Sequence, residues 1–205
     1  VQIATAENLD EKGETTSSIA KRNGAVAAIN AGGFYDANGT GTGRSPYGFI
    51  IHDGKFILGQ NVADSEVNEF VGLTDDGNLI AGNYSKGELI SMDVKEGISF
   101  GPALIVNGER MITSGDGGWG VGPRTAIGQK KDGTVLFLVI DGRQPSYSIG
   151  ATLRDVQNIL YEEGAYIAAN LDGGSSSTLY MNGNVVNKPA DLLGERMIPT
   201  AFIVK

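Results

Sequence analysis

Four stretches of the sequence place polar or charged residues directly after apolar runs. They are INAGGFYD (29–36), GPRTAIG (122–128), VIDGRQ (139–144) and NLDGGSSST (170–178). Apolar runs of this length are typical of buried strands, so the polar side chains are predicted to lie at strand ends. A rigid sheet that presents polar groups at its strand ends is a common base for a binding or catalytic site.

The residue types in these stretches indicate a site for a sugar and a phosphate. Arg124 and Arg143 carry planar, permanently charged guanidinium groups that suit phosphate or carboxylate. Asp141 and Asp172 supply two carboxylates, the usual pair for cleaving a glycosidic bond. Amides that can bind a sugar, glycines that a ligand can approach closely and hydroxyl donors complete the set: Asn30, Asn170, Gly32, Gly33, Gly173, Gly174, Ser175, Ser176 and Ser177.

Each charged residue also has a purely structural explanation. Asp141 could belong to an ordinary Asp-Gly turn, Arg124 could be a partner in an ion pair, and Asp172 could cap a helix or a turn. Their joint occurrence at predicted strand ends favours a site over three independent structural roles.

The sequence excludes several other chemistries. It contains no cysteine and one histidine, His52, which rules out thiol nucleophiles, cysteine-zinc sites and histidine clusters. His52 stands beside a predicted turn and is expected to be a surface residue. The stretch DANGTG (36–41) begins like a calcium loop, but Tyr47 occupies the twelfth position, where a glutamate is needed. No cofactor is required by the pattern, although Asp141, Asp172 and loop carbonyls could hold Ca²⁺ or Mg²⁺.

The length and the net charge limit the possible classes of protein. The 205 residues suit one domain, predicted to span 1–205, and the net charge of −8 without a cluster of basic residues argues against a nucleic-acid partner. Neither a signal peptide nor a membrane span is recognisable.

Five Asp-Gly or Asn-Gly pairs between short apolar runs predict β-hairpins. They lie in HDGK (52–55), DDGN (75–78), VNGE (106–109), KDGT (131–134) and MNGN (181–184). A chain with this many hairpins is expected to form mainly antiparallel sheet.

Two segments have helix signals, and each is followed by a small-residue strand. TTSSIAKRNG begins with capping residues and ends at Gly24, whereas TLRDVQNILYEEG has an apolar face between Thr152 and Gly164. The strands AVAAIN (25–30) and AYIAANLD (165–172) are nearly continuous in apolar character and are predicted to be central. We therefore predict an α+β fold, with an extended mainly antiparallel sheet and two main helices packed on it.

The same stretches, in this order, resemble the phosphodiester glycosidases, the relatives of N-acetylglucosamine-1-phosphodiester α-N-acetylglucosaminidase. The resemblance runs from about Ala28 to Val204. It includes FGPALIVNGE (100–109), GATLRD (150–155) and ERMIPTAFIV (195–204). Because the animal enzyme is disulfide-bonded and this chain has no cysteine, the chain looks like a bacterial member, which implies an exported or cell-surface protein.

The resemblance implies cleavage between the anomeric carbon of a sugar and a phosphodiester oxygen. It also implies these site positions: Asn30, Gly32, Gly33, Arg124, Thr125, Asp141, Arg143, Asp172, Gly173, Gly174, Ser175 and Ser176. We expect both arginines to bind the phosphate, Asp172 to act as base or nucleophile, and Asp141 to assist it or to orient Arg143. A non-catalytic module that binds phosphate-bearing envelope polymers and a phosphodiesterase that breaks the P–O bond are the alternatives.

Overall fold

The computed structural model describes residues 1–9, 11–36 and 41–205, so most of the loop 36–41 lies outside it. The described chain forms strands β1 (Gln2–Thr5), β2 (Ala27–Asn30), β3 (Ile50–His52), β4 (Lys55–Leu58), β5 (Val67–Thr74), β6 (Leu79–Ser85), β7 (Val94–Ile98), β8 (Ala103–Val106), β9 (Glu109–Arg110), β10 (Arg124–Lys130), β11 (Val135–Ile140), β12 (Ala165–Leu171), β13 (Leu179–Met181), β14 (Asn184–Val185) and β15 (Thr200–Val204). The helices are α1 (Thr16–Arg22), α2 (Lys86–Ser91) and α3 (Leu153–Glu162).

The strands form three five-stranded sheets rather than one. Their strand orders are β1-β15-β2-β13-β14, β11-β10-β12-β8-β9 and β4-β3-β7-β5-β6. Every strand pair is antiparallel, which confirms the predicted α+β class. Ile29, Leu171 and Val71 come from different sheets and pack in one hydrophobic cluster, so the three sheets share a core.

All five predicted hairpins are present. The turns between β3 and β4, β8 and β9, and β13 and β14 have positive φ at both central residues; an example is Asn107 with φ 52° beside Gly108 with φ 81°. The other two turns have positive φ only at Gly77 and Gly133. The Asp-Gly and Asn-Gly pairs therefore identified the hairpins correctly, although not all of them adopt the same turn geometry.

Both predicted helices are confirmed, and the structure adds a third. Thr152 and Asp155 form a reciprocal capping box at the start of α3, as its sequence indicates. The prediction of two main helices omitted α2, which Ser85 and Glu88 cap in the same way. This helix has only six residues and buries one side chain, Leu89, so its sequence has no helical apolar repeat. No helix of the described chain is long and apolar enough to cross a membrane.

The two small-residue strands are central, and their ends meet. β2 is the middle strand of one sheet and β12 the middle strand of another. The backbone N–H of Asp172, which follows β12, donates to the carbonyl of Ala31, which follows β2, at 2.9 Å. The two Gly-Gly loops that leave these strands therefore start side by side.

Candidate active site

A cavity of about 270 Å³ opens where β2 and β12 end. Predicted site residues form part of its wall: Gly33, Arg143, Asp172, Gly173, Gly174, Ser175 and Ser176. The other wall residues were not predicted: Phe34, Asp36, Tyr47, Phe100 and Arg196. The cavity thus joins the Asp172 loop to Arg143 and to a set of aromatic and charged residues from other loops.

Asp172 is a carboxylate in this cavity whose pKa is raised by burial. Burial raises its pKa to about 6, while hydrogen bonds from the Ser176 hydroxyl and the Gly173 backbone act in the opposite direction. Its backbone is fixed on both sides, since the N–H donates to Ala31 and the carbonyl accepts from Asn30 Nδ2. A fixed carboxyl with a pKa near neutrality is suited to take up or release a proton during a reaction.

Arg143 presents an unpaired positive charge to the cavity. Its backbone has φ 57°, and its N–H donates to the carbonyl of Ile149 at 3.2 Å. Among residues 1–9, 11–36 and 41–205, its guanidinium has neither a hydrogen bond nor an ion pair. A Cβ added to Gly174 would lie 3.3 Å from each terminal nitrogen of Arg143. This guanidinium therefore lies against the Gly-Gly loop and is free to bind an anion.

The serine loop offers fewer free backbone N–H groups than predicted. Residues Gly174–Ser176 form a short 3₁₀ helix. The N–H of Gly174 donates to Pro123 at 2.9 Å and that of Ser176 to Gly173 at 3.2 Å. The Ser175 N–H and hydroxyl have no acceptor within the described chain. Ser175 is consequently the loop residue best placed to donate to a ligand.

Asn30 and Thr125 lie beneath the cavity rather than in its wall. Both are fully buried. Asn30 Oδ1 accepts from the Thr125 hydroxyl at 2.8 Å and from the Thr178 N–H at 3.1 Å, while Asn30 Nδ2 donates to Asp172. The structure does not support direct substrate binding by these two residues, because their polar atoms are occupied in holding strand ends together.

Gly32 and Asn170 are likewise buried supports. The Gly32 N–H donates to the Thr200 hydroxyl at 2.9 Å, and Asn170 Nδ2 donates to the Gly101 carbonyl at 2.8 Å. Neither lines the cavity. These hydrogen bonds fix the loops around the cavity, while Asn170 Oδ1 is buried without a partner in the described chain, and direct contact of either residue with a ligand stays a prediction.

Arg124 bonds to main-chain carbonyls with the guanidinium that its sequence context predicts to bind phosphate. Its Nε donates to the carbonyl of Ala151 at 3.0 Å, and Nη2 donates to the carbonyls of Trp119 and Gly120. Burial, and next the charge of Arg143, lowers its pKa. Arg124 does not line the cavity. It fastens the loop that carries Trp119, and its charge adds to that of Arg143 from behind the wall.

Asp141 is also outside the cavity wall. Its carboxylate accepts from Asn187 Nδ2 at 2.8 Å, from the Lys188 N–H at 3.0 Å and from the Tyr147 hydroxyl at 3.2 Å. Asn187 Nδ2 donates further to the carbonyl of Ser177 at 3.0 Å. The structure therefore does not support Asp141 as the second carboxylate at the anomeric carbon, because its oxygens hold the loop after β14 in place.

Arg196 and Asp36 form an ion pair in the cavity wall. Arg196 also faces the ring of Phe34, with its guanidinium carbon 5.8 Å from the ring centre. Asp36 neutralises much of the Arg196 charge, which distinguishes this arginine from Arg143. Both belong to stretches quoted above, INAGGFYD and ERMIPTAFIV, but neither directly follows an apolar run.

A row of aromatic rings borders the cavity. The ring centres of Tyr35 and Tyr47 are 5.7 Å apart, those of Tyr47 and Phe100 6.3 Å, and those of Phe100 and Trp119 6.1 Å. Tyr47 and Phe100 also line an adjoining cavity of about 310 Å³ that contains Glu69.

Burial, and next the nearby Asp172, raises the pKa of Tyr47 to about 12. This hydroxyl is therefore a hydrogen-bond donor throughout the neutral range.

Gly33 makes the close packing of two of these rings possible. A Cβ at this position would lie 2.3 Å from the Tyr47 hydroxyl oxygen and 2.7 Å from the Phe100 ring. The predicted close approach to Gly33 is thus made by aromatic side chains of the protein.

Metal binding and chemistry at the single histidine are two further possibilities that the sequence raises. Within the described ranges, no group of three or more histidines, aspartates or glutamates is arranged to hold a metal ion, and a role for Ca²⁺ or Mg²⁺ stays a prediction. His52 pairs with Glu96 at 2.9 Å and does not line the cavity around Asp172. The surface role expected for His52 agrees with its half-exposed side chain.

Comparison with known proteins gives a consistent assignment. The chain is 32% identical over 197 residues to the prophage-derived protein YomE of Bacillus subtilis strain 168, covering 93% of this chain and 29% of that one. It is 25% identical to bovine N-acetylglucosamine-1-phosphodiester α-N-acetylglucosaminidase over 203 residues, 89% of this chain and 36% of the enzyme. The chain thus spans about a third of the length of these relatives.

Solved structures share the fold. The catalytic domain of the zebrafish N-acetylglucosamine-1-phosphodiester α-N-acetylglucosaminidase, auto-inhibited by its pro-peptide, matches with a TM-score of 0.78 at 24% identity, over 99% of this chain and 72% of that one. A protein from Synechocystis matches with a TM-score of 0.69 at 17% identity, over 98% of this chain and 55% of that one. The sequence pattern of the phosphodiester glycosidases matches residues 23–205. The chain therefore belongs to the phosphodiester glycosidase family.

Proposed function

We propose that this protein hydrolyses the bond between the anomeric carbon of a sugar and an oxygen of a phosphodiester. The products are the free sugar and a phosphomonoester. The observation that carries the proposal is the presence, in one cavity, of the Asp172 carboxyl with a pKa of about 6 and the unpaired guanidinium of Arg143. Family membership and the relation to the bovine enzyme support the same general activity.

The phosphate is assigned to the Arg143 side of the cavity. Arg143 supplies a positive charge that no carboxylate in the described chain neutralises, and Ser175 supplies a free N–H and hydroxyl. Arg196 contributes less charge because it is paired with Asp36. The leaving phosphate is a weak base, so charge stabilisation by Arg143 can replace much of the protonation that a sugar leaving group would need.

Asp172 is assigned to the anomeric carbon as the general base. In this step a water oxygen bonds to the anomeric carbon and the carbon–oxygen bond to the phosphate breaks. Its electron pair stays on the phosphate oxygen, and the water proton passes to Asp172. A pKa raised by burial makes the carboxylate a better proton acceptor than an ordinary aspartate, while leaving it ionised above about pH 6.

Hydrolysis in oxygen-18 water tests the bond that breaks. A phosphodiester between a sugar's anomeric carbon and a second alcohol is incubated with the protein, and both products are analysed by mass spectrometry. A phosphomonoester released without label supports the proposal, whereas label in the phosphomonoester would indicate P–O cleavage instead. The phosphomonoester decides the result, because the anomeric oxygen of the free sugar also exchanges with water. Binding of the substrate without release of either product would favour a non-catalytic module.

Asp172→Asn tests the proposed general base, and Asp132→Asn is its control. Asp132 lies in the exposed turn between β10 and β11, where it accepts from the Thr134 N–H at 3.0 Å. We expect Asp172→Asn to lose turnover by about a hundredfold or more and Asp132→Asn to keep it. Equal turnover of the two variants would remove Asp172 from the reaction.

We also propose that the protein is exported or displayed on a bacterial cell surface. Another structure with the same fold, from a Burkholderia pseudomallei protein described as a candidate for export, supports this location. Fractionation of cells with an antibody against the chain tests it, and recovery only in the cytosolic fraction would contradict it.

A further inference from the structure

A second polar cavity, of about 420 Å³, lies between the β8–β9 hairpin and one face of α3. Its wall includes Glu109, Arg110, Thr113, Arg154, Asn158 and Tyr161, and none of these residues lines the cavity around Asp172. Arg154, Asn158 and Tyr161 lie at the spacing of one helix face, so α3 presents them together to the hairpin.

Two guanidinium nitrogens of Arg154 lack hydrogen-bond partners. Its Nε and Nη2 are buried, and neither has a partner within the described chain. Leaving two charged donors without acceptors is costly, because they have lost water without gaining a replacement. The Arg154 backbone is fixed at the start of α3, where its N–H donates to the carbonyl of Asp116 at 3.1 Å.

Arg110 faces the same cavity from the hairpin and is held in place without a carboxylate. Its guanidinium carbon lies 4.8 Å from the centre of the Tyr161 ring, and Nη1 donates to Asn158 Oδ1 at 3.4 Å. Within the described chain, neither Arg110 nor Arg154 forms an ion pair. Two arginines against the single carboxylate of Glu109 make this wall positive on a protein whose net charge is −8.

We propose that this cavity binds a phosphate or carboxylate group carried by a small hydroxyl-bearing molecule. Arg154 supplies a charge that has no counter-ion in the described chain, and a turn of its guanidinium toward the cavity brings Nε and Nη2 within reach of an oxyanion that accepts from both. Arg110 supplies a second charge across the cavity. Thr113, Asn158 and the Tyr161 hydroxyl can hydrogen-bond to hydroxyls on the rest of the ligand. This site is separate from the proposed hydrolytic site and does not depend on it.

Nuclear magnetic resonance tests the site with inorganic phosphate and glycerol phosphate as probes. In amide correlation spectra of the full chain, we expect saturable shifts in 108–113 and 154–161 for both probes. Glycerol phosphate should bind more tightly than inorganic phosphate, since it adds hydroxyls. No saturable shift in these segments would overturn the site, and equal or weaker binding of glycerol phosphate would overturn the hydroxyl-bearing ligand.

Arg154→Gln and Arg143→Gln separate this site from the cavity around Asp172. We expect Arg154→Gln to weaken the response of 108–113 and 154–161 by about tenfold or more while leaving that of 173–176 unchanged. Arg143→Gln should do the reverse. If Arg154→Gln does not give a folded spectrum, Arg110→Gln takes its place. An unchanged response of the 154–161 segment in the folded variant would refute the assignment.

Discussion

The guanidinium of Arg143 lies beside the position that a side chain on Gly174 would occupy. A Cβ on Gly174 would stand 3.3 Å from both terminal nitrogens of Arg143, and Gly174 has φ 61°. The proposed phosphate-binding arginine is therefore positioned by the loop that follows the proposed catalytic carboxylate. A side chain on this glycine requires the Arg143 guanidinium to shift by a few tenths of an ångström or more.

Gly174→Ala is expected to move Arg143 and to lower kcat/KM by about tenfold. The left-handed backbone also costs about 1 kcal/mol of unfolding free energy when a Cβ is added. Gly183→Ala is the control, because Gly183 has φ 94° but no atom within 4 Å of an added Cβ. Steady-state kinetics and urea unfolding of both variants give the comparison. Equal kinetic losses in the two would show that strain, and not the position of Arg143, is responsible.

The rate should depend on the ionisation of Asp172. Since its pKa is raised to about 6 and the base must be ionised, kcat/KM is expected to fall as the pH decreases through about 6. Measuring kcat/KM over a series of pH values, with the released sugar quantified directly, gives the apparent pKa. An activity that is constant down to about pH 4, the ordinary range of an aspartate, would contradict the assigned role.

Asp172 should reduce the stability of the fold at neutral pH. Its pKa is higher in the folded chain than in the unfolded one, so the unfolded chain releases its proton first and stability falls as the pH rises from about 4 to about 6. Asp172→Asn removes this cost and is expected to raise the unfolding free energy at pH 7 by about 1–3 kcal/mol. Urea unfolding at both ends of this range tests it. A gain at pH 7 that did not shrink toward pH 4 would indicate a different cause.

Asn30→Ala should affect stability and turnover together. The change leaves the Thr125 hydroxyl and the Thr178 N–H without their acceptor, at a cost of about 2–4 kcal/mol, and frees the carbonyl of Asp172. Thermal unfolding and kcat measure both effects. Asn184→Ala is the control, since Asn184 is an exposed hairpin residue whose side chain makes one hydrogen bond within the described chain, from Nδ2 to the Asn182 carbonyl at 3.3 Å. A stable Asn30→Ala variant with normal kcat would refute the supporting role.

Trp119→Ala tests whether the aromatic row binds substrate. Trp119 is 51% exposed and touches Phe100 at the edge of the adjoining cavity, so it is accessible to a ligand that extends beyond the phosphate. We expect KM to rise by about tenfold and the unfolding free energy to change by less than about 1 kcal/mol. Trp119→Phe should restore most of the affinity. An unchanged KM with a long substrate would exclude this surface from binding.

The sequence was informative where the signal is local. The Asn-Gly and Asp-Gly turns need no distant partner, and all five hairpins are present. The Asp172 loop was predictable because a carboxylate and two glycines directly follow a buried strand. The helix α2 is too short to have a periodic apolar face, so its sequence was not distinctive.

The residues next to a strand end in the sequence do not determine where its charged side chain bonds. Arg124 begins β10 and Asp141 follows β11, but neither lines the cavity, and their charged groups bond to carbonyls and loop donors elsewhere in the fold. Tyr47 and Arg196 enter the cavity from loops that no apolar run precedes, and only the packing of three sheets brings them there. These positions depend on tertiary contacts that a single sequence does not display.

The amide of Asn30 has consequences for how the chain can be altered. Its partners are at Thr125, Asp172 and Thr178, so the reacting groups are held by contacts between residues 95 to 148 positions apart in the chain. A segment between those contacts can therefore be lengthened at an exposed turn, provided that its strands and both of its ends keep their places. Foreign domains inserted at an exposed hairpin tip, such as Asp132–Gly133, should leave the chemistry intact, which makes the fold a scaffold for modular fusion.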